Sequence, residues 1–442
     1  MRILFVTPYV PSLIRVRPFN FIKQLSRRHA ITLVTLSQGD DGESEAIERM
    51  LDWCKDVYVL PISKAQALLN CCRQLLTSTP LQAAYTQLPA ARNLIARTAE
   101  DGSFDLLHVE HIRGAHLAEQ VAHLPRVYDS VDCITRLLKR KLAGQRGVLG
   151  RALSLGELLK MRSYEPKVAA TFDSVVITSE RDKRALELLA RRFCNGNGKH
   201  GLRDAIRRRR LMRDLIEEDQ DRRLTALGAR SAGRVAVIRN GVDSNYFAPM
   251  RTHENPAEIV FCGKMSYFPN VSGVLRFYHE VFPGIRQERP DVTFKVVGSN
   301  PPDAIKQLAD DPGVQVTGFV PDIRPHLAAA TVVACPLEIG VGIQNKVLEA
   351  MAMGKPVVAT SVSCEGIPGA LDGTHLVKAD DSNEMAEAIL SLIRHPARGR
   401  ALGENACRLV RDQYSWEVAT RALEAVYEQT VEMRRGRVLS AV

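Results

Sequence analysis

Short apolar runs recur along the whole chain, and each is separated from the next by a stretch of helical composition. Runs such as ILFV at positions 3–6 and SVVIT at 174–178 are continuous rather than alternating. Continuous apolar strands are typical of parallel sheets that helices cover on both faces. Strands that alternate with helices form doubly wound sheets. The pattern therefore predicts an α/β protein built on parallel, Rossmann-like sheets.

The runs fall into two sets, on either side of a polar segment with two prolines at 245–257. Since 442 residues exceed what one core usually supports, two domains are expected. We predict an N-terminal domain at 1–247, a C-terminal domain at 248–412 and a closing segment at 413–442. The first domain has predicted strands at 2–7, 31–36, 57–60, 104–109, 126–129, 174–178 and 235–238. The second has them at 258–263, 292–298, 314–319, 331–336, 356–360 and 375–377, with helices near 271–282, 303–309, 346–353 and 385–393.

The formal net charge of +10 is concentrated in two segments. Residues 136–167 and 191–234 each carry a net charge of +7, so the remaining chain is mildly acidic. The second segment contains a charged insertion at 194–232, which is helical in composition but mostly polar. We expect a solvated helix or a partly disordered excursion there, just before the last strand of the first domain.

Nine cysteines are scattered along the chain without a C-x-x-C pair. This pattern is typical of reduced thiols in a cytoplasmic protein, and small buried cysteines are the expected state. No apolar stretch reaches 18 residues, and the N-terminus predicts a buried strand rather than a signal peptide. We therefore expect a cytoplasmic protein without a membrane span.

The segment PLEIGVGIQNKVLEAMAMGKP at 336–356 combines a strand end, a glycine loop and a helix start. Free backbone amides and the helix dipole make such a helix start an anion site. Lys346 adds a positive charge, and Glu349 lies one turn further on the same helix face, where a carboxylate can accept hydrogen bonds from a ribose. An isolated loop of this kind is more often a tight turn beside a surface ion pair. Here the loop follows a strand of a Rossmann-like domain, and ligands bind at that edge.

Four motifs in this order resemble the signature of family 4 glycosyltransferases, which have the fold called GT-B. They are TSERD at 178–182, NGVD at 240–243, NKVLEAMAMGKPVVAT at 345–360 and YSW at 414–416. The resemblance is greatest to the sugar transferases of bacterial exopolysaccharide loci. It implies two Rossmann-like domains that face a cleft, with a C-terminal helix that crosses back to the first domain. It also implies transfer of a sugar from a nucleotide-diphosphate sugar, with retention of the anomeric configuration.

The resemblance further implies roles for individual residues. In the C-terminal donor domain, Glu349 binds the ribose hydroxyls and Lys264 is the basic ligand of the phosphates. His111 is the counterpart of a histidine that faces the donor sugar, so these three are the implied catalytic residues. The other implied donor-binding residues are Gly263, Phe319, Val320, Gly342, Ile343, Asn345 and Lys346.

Two positions depart from the family pattern. Val341 stands where the family commonly has a glutamate that contacts the donor sugar. Pro269 and Asn270 stand where many members have a second basic residue, and Lys346 is the expected substitute. The identity of the donor sugar therefore stays open.

The chemistry of the implied reaction is electrostatic. Breaking the anomeric bond leaves a nucleoside diphosphate with additional negative charge. Lysines and helix amides aimed at that charge lower the barrier. We therefore expect neither a metal ion nor a cofactor, with the nucleotide sugar as co-substrate.

The N-terminal domain is the expected acceptor domain. Its first strand leads into PYVPSLIRVRPF at 8–19, where Arg15 and Arg17 suit a saccharide or lipid-linked acceptor that carries phosphate. Two solvated arginines are an equally good interpretation.

Other polar residues follow the strands of this domain. His108 competes with His111 for the catalytic role, but it falls within a predicted strand and is expected in the core. Asp129 and Asp132 either contact the acceptor or cap the following helix, and we favour capping.

Residues 136–167 combine positive charge with an apolar stripe at helical spacing, formed by Val148, Ala152, Leu155 and Leu159. Such a helix can lie on an anionic membrane surface. The alternative is an ordinary amphipathic helix packed on the core. The net charge of +7 favours the membrane, so we expect peripheral binding to the inner face of the plasma membrane, where a lipid-linked acceptor is found.

Three rival functions fit the sequence less well. A nucleotide-sugar epimerase of the same fold needs neither an acceptor nor the basic segments. A nucleic-acid-binding protein has a natural patch in the arginines at 207–210, but no aromatic residue is interleaved with that run to stack on bases. A Rossmann dehydrogenase is disfavoured because no G-x-G-x-x-G motif follows the first strand.

Overall fold

The computed structural model describes residues 1–40, 42–144, 148–194, 235–250, 252, 255, 257–339 and 343–439. The charged insertion predicted at 194–232 therefore lies outside the described residues, except for its first residue. The chain divides into two compact units, of which the first comprises Met1–Ile238 and Thr420–Val442 and the second comprises Arg239–Ala419. The acceptor and donor roles expected of the two domains stay predictions at this point.

The first unit is built on a parallel sheet. Its strands are β1 Arg2–Thr7, β2 Ala30–Ser37, β3 Asp56–Pro61, β4 Leu106–Glu110, β5 Arg126–Val131, β6 Ser174–Ile177 and β7 Val235–Val237. They lie in the order β3-β2-β1-β4-β5-β6-β7. The helices are α1 Val16–Leu25, α2 Glu43–Trp53, α3 Lys64–Gln74, α4 Leu81–Tyr85, α5 Pro89–Asp101, α6 His111–Ala115, α7 Ile134–Gly144, α8 Val148–Thr171 and α9 Glu180–Cys194.

The second unit repeats this plan. Its strands are β8 Glu258–Cys262, β9 Thr293–Val297, β10 Val314–Gly318, β11 Val332–Cys335, β12 Val357–Ala359 and β13 Val377–Lys378. They lie in the order β10-β9-β8-β11-β12-β13. The helices are α10 Phe268–Arg276, α11 Phe282–Glu288, α12 Asp303–Lys306, α13 Arg324–Ala329, α14 Asn345–Ala352, α15 Ser361–Cys364, α16 Ser382–Arg394, α17 Pro396–Gln413 and α18 Trp416–Leu439, and a π turn, Phe277–Val281, joins α10 to α11.

Both sheets have the strand order of a doubly wound Rossmann fold, in which the first strand lies next to the fourth. This confirms the predicted fold class, and each of the thirteen predicted strands is present. The order reverses between β1 and β4 in one unit and between β8 and β11 in the other. Ligands bind beside the carboxyl ends of the strands at such a reversal.

The central strands are buried on both faces, as the continuous apolar runs predict. Ile3, Leu4, Phe5 and Val6 of β1 are fully buried, so successive side chains enter the core on opposite sides of the sheet. Truncation of one such side chain to alanine typically costs about 2–5 kcal/mol of unfolding free energy.

Several helices begin at a side chain that accepts backbone hydrogen bonds. Ser63 caps α3 by accepting from the amide of Gln66, and Asp381 caps α16 by accepting from the amides of Asn383 and Glu384. These caps satisfy amides that have no partner within the helix. Local sequence therefore sets where these helices begin.

The start of α7 has a different partner from the one we predicted. The carboxylate of Glu165, on α8, accepts hydrogen bonds from the amides of Ile134 at 2.7 Å and Thr135 at 3.0 Å. Asp129 instead accepts from Arg17 and from the amide of Val131. The prediction that Asp129 caps the following helix was wrong, because a buried carboxylate distant in sequence takes that place.

The face of α8 that packs on the core also differs from the predicted stripe. Buried positions are Ser154, Leu158, Met161 and Glu165, whereas Ala152 is exposed and Leu155 and Leu159 are only partly buried. The buried face lies about one residue away from the predicted stripe, and it includes two polar residues, Ser154 and Glu165. No helix in the described ranges is long and apolar enough to span a bilayer.

The last helix, α18, begins in the second unit and from Thr420 onward belongs to the first. Its buried Tyr427 hydroxyl lies 2.8 Å from Nδ1 of His108, and Thr430 Oγ1 lies 2.7 Å from Ser174 Oγ. Glu424 accepts hydrogen bonds from Arg28 near the edge of the same unit. The predicted helix that crosses back to the first domain is therefore confirmed.

Candidate active site

A cavity of about 390 Å³ opens at the carboxyl ends of the strands of the second unit. It lies where that sheet reverses its strand order, as the fold rule requires for a ligand site. Its lining residues are Cys262, Gly263, Lys264, Asn270, Val297, Gly298, Ser299, Phe319, Val320, Ile323, Asn345, Lys346 and Glu349. The cavity therefore brings together seven of the donor-binding residues predicted from sequence.

Two glycines form the floor of this cavity where β8 and β9 end. A Cβ on Gly298, whose φ is +157°, would lie 1.8 Å from the carbonyl oxygen of Gly263. A Cβ on Gly263 would lie 2.8 Å from Nδ2 of Asn270. Glycine is required at Gly298 because backbone approaches backbone this closely, whereas at Gly263 a Cβ would press on the buried side chain of Asn270. The same absence of side chains leaves room for a ligand above the strand ends.

Positive charge enters the cavity from two elements. Lys264 follows β8 directly, and Lys346 lies in the first turn of α14 beside Asn345. The first amides of α14 have no partner within the helix, so the helix start adds partial positive charge. Lys346 Nζ donates to Oε1 of Gln344 at 3.0 Å, which holds its ammonium group near the helix start. The arrangement suits a diphosphate.

Glu349 provides the one carboxylate among the residues that line this cavity. Burial raises its pKa from 4.5 to about 7, and the positive charge of Lys346 opposes that rise. A carboxyl group with a pKa near 7 changes its charge readily when hydrogen-bond donors arrive. Ribose hydroxyls that donate to it favour the ionised form, so nucleotide binding at neutral pH is expected to release a proton.

Glu349→Gln is expected to stabilise the ligand-free protein at alkaline pH. The folded-state pKa of Glu349 lies above its unfolded value, so the free energy of unfolding falls as the pH rises from 4.5 to about 7. Glutamine cannot ionise, and since water in the cavity reduces the effect, we expect a gain of about 1–3 kcal/mol at pH 8 and little change at pH 5. Urea unfolding at both pH values measures this difference.

A matched control is Glu404→Gln, which changes an exposed carboxylate of α17 in the same unit. An equal gain in both variants, or a gain at pH 5 as large as that at pH 8, would contradict the proposed pKa.

Asn270 takes the place of the basic residue that the family pattern led us to look for. It is buried, and its Nδ2 donates to the carbonyl oxygen of Lys264 at 2.8 Å. The amide therefore holds the loop that carries Lys264 instead of adding charge. Its Oδ1 and that of Asn345 are buried and have no hydrogen-bond partner within the described residues. Both atoms belong to residues that line the cavity, so they are available to ligand hydroxyls.

Two predicted donor residues are not among the described residues that line the cavity. Gly342, like Val341, lies outside the described residues. Ile343 is partly buried and packs against the hydrophobic core of the second unit. Glu338 forms an ion pair with Arg276 at 3.6 Å.

Sequence reasoning missed Gly298 and Ser299. The signal was present, because VVGSN at 296–300 ends a predicted strand at the same edge of the sheet as Lys264. Asn300 has a φ of +56°, which is uncommon for a residue other than glycine.

The first unit carries His111 at the carboxyl end of β4. His111 has a φ of +63°, and Val131, at the end of the neighbouring β5, has the same value. A left-handed backbone conformation costs free energy in residues other than glycine, and such residues are found preferentially at functional sites. Burial and the charges of Arg113 and Arg15 lower the pKa of His111 to about 3, so its imidazole is neutral at physiological pH.

His108 has the core position that the sequence predicts. It is fully buried, and its ring stacks on Phe5 with 4.1 Å between centroids. Burial lowers its pKa to about 3. His108 therefore stabilises the link between β1, β4 and the last helix.

The two arginines predicted for the acceptor differ in their surroundings. Arg15 is exposed, and its guanidinium carbon lies 4.5 Å from the centroid of Tyr9. Arg17 is buried, and its Nε donates to Oδ2 of Asp129 at 2.7 Å while Nη1 donates to the carbonyl oxygen of Ile238 at 3.0 Å. Arg17 therefore has almost no surface for an acceptor, and its expected acceptor contact is corrected to a structural ion pair.

Residues 256–395 match the family model described as "Glycosyl transferases group 1". This segment lies in the second unit and contains the whole cavity lining. Related curated proteins are the D-inositol 3-phosphate glycosyltransferases of Mycolicibacterium paratuberculosis and Mycobacterium avium, each 31% identical over 235 residues. These matches cover 48% of this chain and 52% and 54% of the relatives, so the chain spans about half the length of the curated relatives it matches.

Solved structures share the fold over nearly the whole chain. The Anabaena protein Alr3699/HepE in complex with UDP has a TM-score of 0.60 at 16% identity, covering 97% of this chain and 100% of that one. Sucrose-phosphate synthase from Thermosynechococcus elongatus has a TM-score of 0.58 at 15% identity, covering 97% and 98%. These structures share the predicted GT-B type of fold.

Proposed function

We propose that this protein transfers a sugar from a nucleotide-diphosphate sugar to a saccharide or lipid-linked acceptor in the synthesis of exopolysaccharide or another cell-surface glycan. The observation that carries this proposal is the cavity of the second unit. It combines Lys264, Lys346 and Glu349 at the strand reversal of the segment that matches the glycosyltransferase family model. The exopolysaccharide role has its support in the sequence resemblance alone.

The donor binds with its diphosphate at the two lysines and the start of α14. These groups stabilise the charge that develops on the leaving diphosphate, and since they are fixed before the reaction they lower the barrier. Glu349 accepts hydrogen bonds from the ribose. We propose that transfer is metal-independent and retains the anomeric configuration, as the family resemblance implies.

We propose that His111 contacts the donor sugar. A neutral imidazole can exchange hydrogen bonds with sugar hydroxyls without adding charge, and the low pKa of His111 keeps it in that state. The amide of Arg113, which donates to Nδ1 at 3.3 Å, helps to orient the ring. This role is carried over from the family, and the placement at a carboxyl strand end supports it.

The acceptor is proposed to carry a phosphate group. The curated relatives are named for D-inositol 3-phosphate, a phosphorylated polyol. Exposed Leu13 and Ile14 precede Arg15 in the loop after β1, so an acceptor with an apolar part also finds contacts there. A lipid-linked acceptor would contact both the arginine and the two apolar side chains. A small phosphorylated polyol, our second candidate, would contact the arginine alone.

The proposal is tested by following nucleotide release from UDP-glucose, GDP-mannose and other nucleotide sugars, with and without candidate acceptors. Release of a nucleoside diphosphate together with a glycosylated product supports it. Conversion of the nucleotide sugar without release of the diphosphate would identify an epimerase instead. Salt-dependent RNA binding without turnover of any donor would favour a nucleic-acid-binding protein.

We further propose that the first unit binds the anionic inner face of the plasma membrane. The supporting observation is an exposed leucine surface, which we define as Leu68, Leu69, Leu75, Leu76 and Leu153; these side chains are 45–101% exposed. Lys160 Nζ donates to the carbonyl oxygens of Gln74 and Leu75 at 2.9 Å, so α8 adjoins the end of α3.

The charges near the leucine surface suit anionic lipids. Leu153 lies seven residues before Lys160, on the same face of α8. Arg73 and Arg151 are exposed, and each lies two residues before a leucine of this surface in the sequence. Exposed leucines insert below the headgroups while basic side chains remain among them. The surface differs from the stripe predicted at 148–159, but it includes the same basic helix.

The double substitution Leu75→Ser and Leu76→Ser is expected to weaken vesicle binding by about tenfold or more, because each buried leucine contributes about 1.5–3 kcal/mol. Flotation with vesicles that contain phosphatidylglycerol measures this, and wild-type binding is expected to weaken as salt is raised. Leu371→Ser, at an exposed leucine of the second unit, is the matched control. Membrane binding at this surface would be refuted if the double variant floated with the vesicles as well as wild type does, or if wild type did not float with them.

A further inference from the structure

Two arginines of the first unit lie beside His111 without a carboxylate partner. Arg15 is in the loop after β1, and Arg113 is in α6, two residues after His111. Within the described residues neither guanidinium forms an ion pair, and Nε of Arg113 is buried without a hydrogen-bond partner. By contrast, Arg17 has its charge balanced by Asp129. The loop after β1 and the start of α6 therefore carry two uncompensated positive charges.

Local contacts fix where these charges lie. Arg15 stacks over Tyr9, whose ring centroid lies 6.3 Å from that of His111. The amide of Arg113 donates to Nδ1 of His111 at 3.3 Å, and its carbonyl oxygen accepts from Thr86 Oγ1 at 2.7 Å. The guanidinium of Arg113 lies over the ring of Tyr85, 5.5 Å from its centroid. Both arginines are thus held on the segments that flank His111, at the carboxyl ends of β1 and β4.

The two arginines also influence each other. Burial, and after it the positive charge of Arg15, lowers the pKa of Arg113. Both arginines lower the pKa of His111. Like charges repel one another, and an anion bound between them would remove that repulsion while accepting hydrogen bonds from both groups.

The nearest carboxyl group does not supply that anion. Glu110 is buried, and its Oε1 accepts a hydrogen bond from the Tyr9 hydroxyl at 2.8 Å. Burial, together with the charge of Asp129, raises the pKa of Glu110 to about 8, so it is mostly neutral at pH 7. Glu110 therefore leaves the two guanidinium charges available to an anionic ligand.

We propose that Arg15 and Arg113 form an anion site for a phosphate ester of the acceptor, directly beside His111. The inference deepens the proposed function, because it assigns the acceptor to the class of phosphorylated molecules. It replaces the expected pair of Arg15 and Arg17 with Arg15 and Arg113. A phosphate ester of a polyol or of a lipid presents the same group to the site.

The test measures binding of sn-glycerol 3-phosphate and inorganic phosphate to the full chain by calorimetry. Arg113→Gln and Arg15→Gln are each expected to weaken binding by about tenfold or more, because each removes charge-assisted hydrogen bonds. Arg97→Gln is the matched control, since it removes an exposed arginine of α5 in the same unit and leaves the proposed site unchanged. Arg113→Lys keeps the charge and is expected to restore part of the affinity.

Lys264→Met separates this site from the donor cavity. Phosphate binding that survives Lys264→Met but not Arg113→Gln supports the proposal, even where no nucleotide is found to bind. Loss of phosphate binding in Lys264→Met alone, or equal affinity in all variants, would overturn it. A second experiment uses vesicles that contain phosphatidic acid. If Arg113 is needed for binding of the soluble ester, the acceptor is a small phosphorylated molecule. If Arg113 is needed for binding to the vesicles and the soluble ester does not bind, the acceptor is a lipid.

Discussion

Replacing His111 by alanine is expected to lower turnover about 100-fold or more while the affinity for nucleotide stays unchanged. The estimate follows from the size of effects seen when a positioned imidazole is removed from a reacting centre. Nucleotide affinity is unaffected because the cavity with Lys264 and Glu349 lies within the second unit and His111 within the first. Initial rates at saturating donor, with calorimetric titration of the nucleotide, measure both quantities.

Two further variants show whether the imidazole or the backbone matters. The φ of His111 is +63°, a value that strains alanine but not glycine. The free energy of unfolding of His111→Gly is therefore expected to be about 1 kcal/mol higher than that of His111→Ala. Both variants should be equally inactive. His123→Ala, at an exposed histidine of the same unit, should keep full activity. Near-normal turnover of His111→Ala would refute the role.

Replacing Lys264 by methionine is expected to lower kcat about 100-fold to 1000-fold. Lys264 is exposed to solvent where the cavity opens, and the carbonyl oxygen of the same residue is held by Asn270. Its ammonium group is therefore placed to stabilise the leaving diphosphate, and loss of one such group typically has an effect of this size. Steady-state rates against donor concentration give kcat and KM separately.

The division between kcat and KM decides what Lys264 does. A rise in KM with unchanged kcat would mean that the lysine binds the ground state and the transition state equally, which contradicts leaving-group stabilisation. Lys306→Met removes a solvated lysine of α12 in the same unit and should leave both constants unchanged.

The sequence predicts those parts of the molecule that depend on local chemistry. Continuous apolar runs such as ILFV identify strands because both faces of a parallel strand are buried. Lys264, Lys346 and Glu349 are predictable because a strand end and a helix start are local features. The same reasoning failed for α8, where Glu165 is a polar residue that is buried by its hydrogen bonds to α7.

The acceptor side depends on contacts between distant segments. Arg17 pairs with Asp129 only because β1, β4 and β5 are neighbours in the sheet, which the chain order does not reveal. Arg113 is proposed as a site residue only because the loop after β1 lies next to the start of α6, where the ring centroid of Tyr9 is 6.3 Å from that of His111. The sequence pattern around an arginine does not show whether its side chain will form a buried ion pair or line an open anion site.

The most direct test of the donor cavity is thermal unfolding of wild type, Glu349→Ala and the control Glu404→Ala with UDP, GDP, ADP and CMP. A ligand at about one hundred times its Kd adds roughly 2.7 kcal/mol of unfolding free energy. We predict that one diphosphate stabilises wild type and Glu404→Ala to this extent and that the gain is lost in Glu349→Ala. Equal stabilisation of Glu349→Ala, or no stabilisation of wild type by any of the nucleotides, would contradict a nucleotide-sugar site in this cavity.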